Sequence, residues 1–319
     1  MSAASDPRPA AAPHRGLLPV LGAVAVGLLT AIQSRINGAL GRALDDGIVA
    51  AVISFGSGLA TVAVLVAVLP SGRAAVGRLA RGVRDRSIPW WLLIGGAAGA
   101  LTVGSQGIVV GVIGTAAFTV GVVAGQTLSG LVLDRIGYSP AGVTAVTVRR
   151  VVGVALALGA VGFSLTGGTL GRVPLWMLLL PVGVGIGLAW QQATNGRLQR
   201  RTESAMAATL VNFAVGTLVL GATALMRMPQ THLDPLPADP LLYLGGVLGV
   251  VYIALSAAIA PRIGVLLLSL GSVLGMLVGS FVLDLLWPPA VPPSPLASGI
   301  TVAIACVGVA IAVSRPRVR

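Results

Sequence analysis

The 319-residue chain contains no lysine; all 21 of its basic residues are arginine. That absence removes the phosphate-cradling lysine of a Walker-type loop and any Schiff-base chemistry, so the chain alone cannot drive ATP-powered pumping. Histidine occurs at two positions, His14 and His232, and neither has companion ligands nearby. A histidine-based metal site or a histidine general base is therefore not expected. The single cysteine, Cys306, lies inside an apolar run, which excludes a disulfide framework. There is also no His-Glu-x-x-His pair, no Gly-x-Ser-x-Gly elbow and no Gly-x-Gly-Asp, so an intramembrane enzyme lacks its reactive groups. No cofactor and no metal are expected.

Charge is scarce as well. Only 9% of residues are charged, against about 25% in an ordinary soluble domain. Hydrophobic residues make up 55% and the mean hydropathy is +0.96, which places the chain among integral membrane proteins. Its net charge of +12 would suggest nucleic acid in a soluble protein. Here the arginines lie between apolar segments, where they orient helices, and nucleic acid is excluded as a partner.

Ten apolar runs have spanning length: Leu17–Ser34, Ile48–Leu69, Pro89–Val110, Ile113–Leu133, Val143–Thr166, Leu175–Ala193, Ala205–Met226, Pro240–Ala260, Ile263–Leu286 and Leu296–Ser314. The third and fourth, and the eighth and ninth, are joined almost without connecting residues. A barrel would instead show strands of about ten residues with alternating polarity. With the N-terminus inside, 17 of the 21 arginines fall on the cytoplasmic side, leaving Arg35, Arg42, Arg172 and Arg227 outside. That bias predicts two cytoplasmic termini and an even number of spans. Trp90, Trp91, Trp176 and Trp287 fall at span ends, where aromatic anchors belong. The small, Pro-rich residues 1–16 read as a disordered tail, with a linker at 167–174 and a basic tail at 315–319. The apolar run after residue 16 has a basic flank like a signal peptide, but it recurs in mid-chain and so belongs to the fold.

The recurrence is extensive. A shift of 158 positions superimposes Gln33, Asn37 and Gly38 on Gln191, Asn195 and Gly196, and Ser54, Phe55 and Gly58 on Asn212, Phe213 and Gly216. Downstream, a shift of 150 superimposes Gly95, Gly99, Gly121, Gly125 and Asp134 on Gly245, Gly249, Gly271, Gly275 and Asp284. The change of eight falls between the second and third spans, where the longest loop, Pro70 to Ile88, tolerates insertion. Two copies of five spans, residues 17–166 and 175–314, must enter the membrane in opposite directions. The expected fold is thus all-α, ten transmembrane helices in two inverted repeats, an arrangement that lets one half rock against the other around a central site.

The Gln-x-x-x-Asn motif, the Gly-Gln of "AGQTLSGLVLD", the Asp-x-x-Gly of Asp134 to Gly137 and the five-plus-five layout resemble the drug/metabolite transporter superfamily, specifically its YdcZ-like branch of inner-membrane exporters. The resemblance runs from Leu17 to Ser314 and implies a fused two-repeat exporter in a bacterial-type cytoplasmic membrane, with a small-molecule substrate. That branch also contains single five-span units that pair, which makes a homodimer a candidate assembly. The second copy departs from the pattern: Met276 stands where Gln126 does, and Trp287 where Gly137 does.

Polar residues within spans sort by depth. Gln33, Asn37 and Ser54 gather toward the outer side, Gln191, Asn195 and Asn212 toward the inner, and the i, i+4 spacing puts each Gln/Asn pair on one helix face. They are gate candidates. Their alternative role is structural, as interhelical glue or, for the asparagines, as helix C-caps. Asp134 and Asp284 are candidates for proton coupling or for a cationic substrate, with a surface ion pair between Asp134 and Arg135 as the alternative. Thr102, Gln106, Gln126, Tyr252, Ser256 and Ser269 are the mid-membrane cavity candidates. With no charge among them they suit a neutral or weakly charged amphipathic solute. Gly-x-x-x-Gly pairs at 95/99, 121/125, 245/249 and 271/275 should admit close helix contacts. A non-transporting protein that regulates a partner is the alternative function, disfavoured by the small extramembrane surface. Besides the solute, membrane lipid is the expected partner.

Overall fold

The computed structural model describes residues 17–164, 175–227, 235–286 and 295–314. Both expected tails, the linker, His232 and Trp287 lie outside these, as do the side chains of Gln106, Trp176 and Asp284. The described residues form α1 (Leu17–Ala43), α2 (Gly47–Val68), α3 (Pro70–Arg84), α4 (Gly96–Arg135), α5 (Val148–Ser164), α6 (Leu175–Thr202), α7 (Ala205–Arg227), α8 (Gly245–Ile263), α9 (Val265–Leu286) and α10 (Pro295–Val313), and no strand occurs among them. Five of the helical segments are long and apolar enough to cross a membrane by length and composition. Helix is what such sequences must adopt in lipid, where each backbone N–H and C=O needs a partner within its own segment.

Local chemistry repeats with the sequence. Asp46 caps α2, its carboxylate accepting from the amides of Ile48 (2.7 Å) and Val49 (3.1 Å). At the equivalent position, 158 residues on, the Ser204 hydroxyl accepts from Ala207 N–H at the start of α7 (3.3 Å). Two 3-10 turns, Trp90–Leu92 and Pro240–Tyr243, precede α4 and α8 at matching positions.

Several expected boundaries are corrected. Residues Pro70 to Ile88 are not a simple loop, because α3 fills most of them with Pro70 at its first position. The third and eighth runs begin as 3-10 turns, and their α-helices start only at Gly96 and Gly245. The fifth helix starts at Val148 instead of Val143; before it, residues 143–147 follow the turn behind α4, where the Thr144 amide bonds the Asp134 carbonyl (2.8 Å). The first and sixth helices continue well past Ser34 and Ala193, to Ala43 and Thr202.

The third and fourth runs form one 40-residue helical stretch, α4. A straight helix of that length would measure about 60 Å, twice the hydrocarbon thickness of about 30 Å. Its neighbours show that it does not run straight. Gly95 lies against Asn195 and Gly99 against Gln191, so this end of α4 descends α6 in the antiparallel sense. Gly121 lies against Pro181, Gly125 against Ile186, and Leu133 packs with Ala189 and Ala193, so the far end climbs α6 in the parallel sense. The direction of the chain therefore reverses between Gly99 and Gly121. The second copy makes the same reversal at Gly264, whose φ of +82° separates α8 from α9.

Packing is exchanged between the copies. α1 packs on α8 and α9, α6 packs on α4, and the pairs α2 with α7 and α5 with α10 join like elements of the two copies. The glycines show how closely: a Cβ on Gly27 would overlap Ser272 O, and one on the equivalent Gly185 would overlap Val122 O. Gly275 meets Val24 O, and its equivalent Gly125 meets Val182 O, in the same reciprocal way. Phe55 and Phe213 complete the set, with ring centroids 5.4 Å apart, each filling the space over the other copy's glycine, Gly216 and Gly58. α1 ends where α2 begins, whereas α6 ends beside α3, where α2 has finished; Arg78 of α3 donates to Thr202 O there (2.6 Å). Equivalent helices thus run in opposite directions.

Gly125→Ala is expected to force α4 from α6 and to destabilise the detergent-solubilised protein by about 1–3 kcal/mol, the usual cost of overpacking. Gly221→Ala, where an added Cβ meets nothing within 4 Å, is the control. Unfolding midpoints measured side by side check the contrast.

Candidate functional site: two polar braces and a buried carboxylate

The doubled Gln/Asn motif is positioned by α1 and α6, and each copy reaches the start of the other copy's third helix. Gln33 donates from Nε2 to Gly245 O at 2.8 Å, with Asn37 Oδ1 and Ser54 Oγ against the same glycine. At the opposite end Gln191 Nε2 (2.7 Å) and Asn195 Nδ2 (2.9 Å) both donate to Asn212 Oδ1, beside Gly95 and Gly96. Because Asn37 and Asn195 lie inside helices that continue for a further turn or more, the expected C-cap role is corrected: they are interhelical groups. The two braces differ in one residue. Asn212 accepts two bonds, whereas Ser54, its counterpart, leaves its buried Oγ without a partner, as does Asn37 Oδ1.

Asp134 is corrected too. It makes no surface pair with Arg135, which is exposed; its carboxylate is fully buried, and Oδ2 pairs with Arg150 Nη1 at 3.3 Å. Oδ1 accepts from Val265 N–H (2.9 Å), capping the start of α9 from another helix. Gly264, just before Val265, faces this carboxylate so closely that a Cβ there would stand 2.7 Å from it. The Asp-x-x-Gly motif also has its cause, since Gly137 terminates α4 at a φ of +74°, a conformation that glycine adopts without penalty. Arg197 then clamps the turn, donating to Tyr138 O (2.6 Å) and Gly137 O (2.8 Å) while stacking over the Tyr138 ring at 4.3 Å.

Arg78, Arg149, Arg150, Arg197, Arg200 and Arg201 all meet at this end of the bundle, through Thr202, Ser314, Asp134, Tyr138, Pro140 and Ser87. The other end holds the Asp46–Arg227 pair at 3.5 Å.

The described cavity candidates do not converge. Ser269, fully buried, donates to Gln192 Oε1 (3.2 Å), a partner that sequence reasoning missed. Thr102 bonds back to Ala98 O (2.8 Å), as threonines in helices do. Tyr252 packs with the cluster around Phe55 and Phe213, whereas Gln126 is buried where α4 meets Gly185, on a different interface. Ser256 is buried within α8. Gln106 and Asp284 have no described side chains. Arg150, Arg197 and Tyr138 were also missed, because their role comes from tertiary placement; the only signal was the doubled arginine at 149–150.

Two oppositely directed copies with exchanged helices, braced by buried amides at both ends, define a multi-pass membrane protein of inverted-repeat design. A family model described as "Putative inner membrane exporter, YdcZ" matches residues 18–163 and again residues 176–313. The chain belongs to that inner-membrane exporter family of the drug/metabolite transporter superfamily, and is a multi-pass protein of the inner membrane. A solved structure titled "Crystal structure of protein" shares the fold, with a TM-score of 0.60 and 17% identity over 92% of this chain and 95% of that one. The comparison with curated proteins gave no match.

Replacing one partner of a buried ion pair leaves the other uncompensated, at a typical cost of about 3–5 kcal/mol. Asp134→Asn should therefore lower the thermal midpoint sharply, and Arg135→Gln should leave it unchanged. A melting series on the purified variants decides this.

Proposed function

We propose that the protein is a secondary transporter that exports a small neutral or weakly charged amphipathic solute, metabolite or drug, by alternating access between its two repeats. Ten crossings with both termini in the cytoplasm complete the reading. The observation that carries it is the reciprocal pair of amide braces at opposite ends of the bundle. The outer brace bonds α1 to the start of the other copy's α8, whereas the inner one bonds α6 to α7 of its own copy and packs against Gly95 and Gly96 at the start of α4. Rocking of one half against the other must therefore break the first and shift the packing of the second. Interhelical hydrogen bonds of this kind contribute about 0.6–2 kcal/mol each. A few such bonds hold an end closed yet can be exchanged thermally during a cycle. Export as the direction, and transport as the activity, are supported by the family's description.

In this reading Gln33, Asn37 and Ser54 gate the outer end and Gln191, Asn195 and Asn212 the inner. Thr102, Gln106, Gln126, Tyr252, Ser256 and Ser269 are residues the solute meets when the halves separate. Asp134 holds the inner end together through Arg150 and Val265, which leaves Asp284 as the coupling candidate. The arginine-rich end faces the cytoplasm, following the bias of basic residues toward that side.

Two measurements test the reading. On a Cys306→Ser background, Ala43→Cys should be labelled by an impermeant thiol reagent from outside intact cells, and Asp85→Cys only after lysis. Both positions are exposed, Ala43 at the end of α1 and Asp85 just after α3. Labelling of both from one side sinks the topology. For transport, the purified protein in liposomes should carry solutes across a screen of neutral amphipathic compounds. Gln33→Ala, which removes the bond to Gly245 O between the copies, should lower the initial flux about tenfold, the equivalent of one lost bond near 1.4 kcal/mol. The protein should stay folded, its melting midpoint falling by only a few degrees. Absence of flux for every solute class, with and without a proton gradient, defeats the transporter reading.

A further inference from the structure

We propose that the groove between α3 and the end of α6 binds the phosphate headgroup of an anionic phospholipid. The argument begins with the face that α3 turns outward. Arg73, Gly77, Arg81 and Arg84, spaced for one side of a helix, are all exposed. Gly72 and Ala75, on the opposite side, are buried, Gly72 lying against the backbone of Val66 and against Met206 of α7. α3 is thus fastened to the bundle by small residues and presents its cations away from it.

Beside this face lies a groove of about 300 Å³ lined chiefly by Arg78, Arg81, Arg201, Asp85, Ser87 and Ile88. Its three guanidinium groups are held by carbonyl oxygens: Arg78 Nε by Thr202 O (2.6 Å), Arg81 Nε by Gly77 O (3.3 Å) and Arg201 Nη1 by Ser87 O (2.6 Å). A guanidinium has five N–H donors, and these bonds use one from each. Among the described ion pairs none joins these arginines to a carboxylate, although Asp85 lines the groove. Three positioned cations against one acid form a site of net positive charge whose free donors suit a phosphate, the group that arginine forks recognise.

Depth selects the source of that phosphate. Ser87 and Ile88 run directly into Pro89, Trp90 and Trp91, and the two indoles are 67% and 43% exposed, packed edge to face with centroids 6.0 Å apart. Exposed tryptophans beside a span mark the headgroup level. The groove therefore opens where lipid phosphates lie, and clustered arginines next to a span attract anionic lipid. In the orientation proposed above, the lipid belongs to the cytoplasmic leaflet.

Native mass spectrometry of the full-length protein, titrated with phosphatidylglycerol and separately with chain-matched phosphatidylcholine, tests the site. The wild type should retain one phosphatidylglycerol in preference to phosphatidylcholine. Arg81→Gln, whose described bond lies within its own helix, should weaken that preference about tenfold, and the triple variant Arg78→Gln/Arg81→Gln/Arg201→Gln should abolish it. Arg149→Gln, at the same end but outside the groove, should keep it. Equal retention of the two lipids, unchanged preference in Arg81→Gln, or an equal loss in Arg149→Gln would each overturn the proposal. So would displacement of the bound lipid by equimolar inorganic phosphate, which would assign the groove to a soluble anion.

Discussion

Backbone-to-backbone contact at glycine is the constraint on which the rest of the structure depends. Within a membrane the hydrophobic effect does not press helices together, since lipid tails are as apolar as leucine, and close packing must hold the bundle instead. Here the closest packing occurs where Gly27, Gly125, Gly185 and Gly275 admit a carbonyl of the opposing helix. All four contacts join different copies. The pattern appears twice because the sequence is duplicated, and each copy supplies the partner surface that the other needs.

The polar groups follow from that geometry. Once α1 lies this close to the start of α8, the Gln33 amide reaches Gly245 O across the interface, whereas Gln191 and Asn195, packed beside the start of α4, bond Asn212 of their own copy. Asp134 is the corresponding device at the joint between α4 and α9, where it satisfies an amide that the break at Gly264 leaves free. Its charge needs Arg150, and the surrounding turn needs Arg197. The arginine-rich end is consequently a connected structure, with several of its cations committed to particular carbonyls, and only partly a diffuse orientation signal.

Much of this was legible in the sequence, and the failures share a cause. Runs such as Gly47–Val68 and Ala205–Arg227 stood out because spanning helices need length and apolarity, and composition records both. The two copies could be aligned because glycines and amides kept their spacing. Helix ends were misplaced at Asn37 and Asn195 because hydropathy stops where lipid stops, whereas hydrogen bonding carries a helix into the aqueous layer. α3 escaped notice for a related reason: small residues and arginine build a helix that no measure of apolar run length detects. Asp134 was matched with its neighbour Arg135, while the charge that reaches it comes from Arg150, across a turn. The candidate site was legible as a set of residues, and only the fold could sort them into braces, a hub and side chains on separate interfaces.

The exchange of helices also bears on how such a chain could arise and be cut. Neither half possesses a complete interior: separated from its twin, it would present its glycine strips and its amides to acyl chains, which can neither fill the first closely nor bond the second. A protein built from an unfused half would have to insert the same polypeptide both ways up before any copy was sealed. Joining the halves in one reading frame fixes that opposition during synthesis, and keeps the complementary surface at high local concentration from the moment it is made.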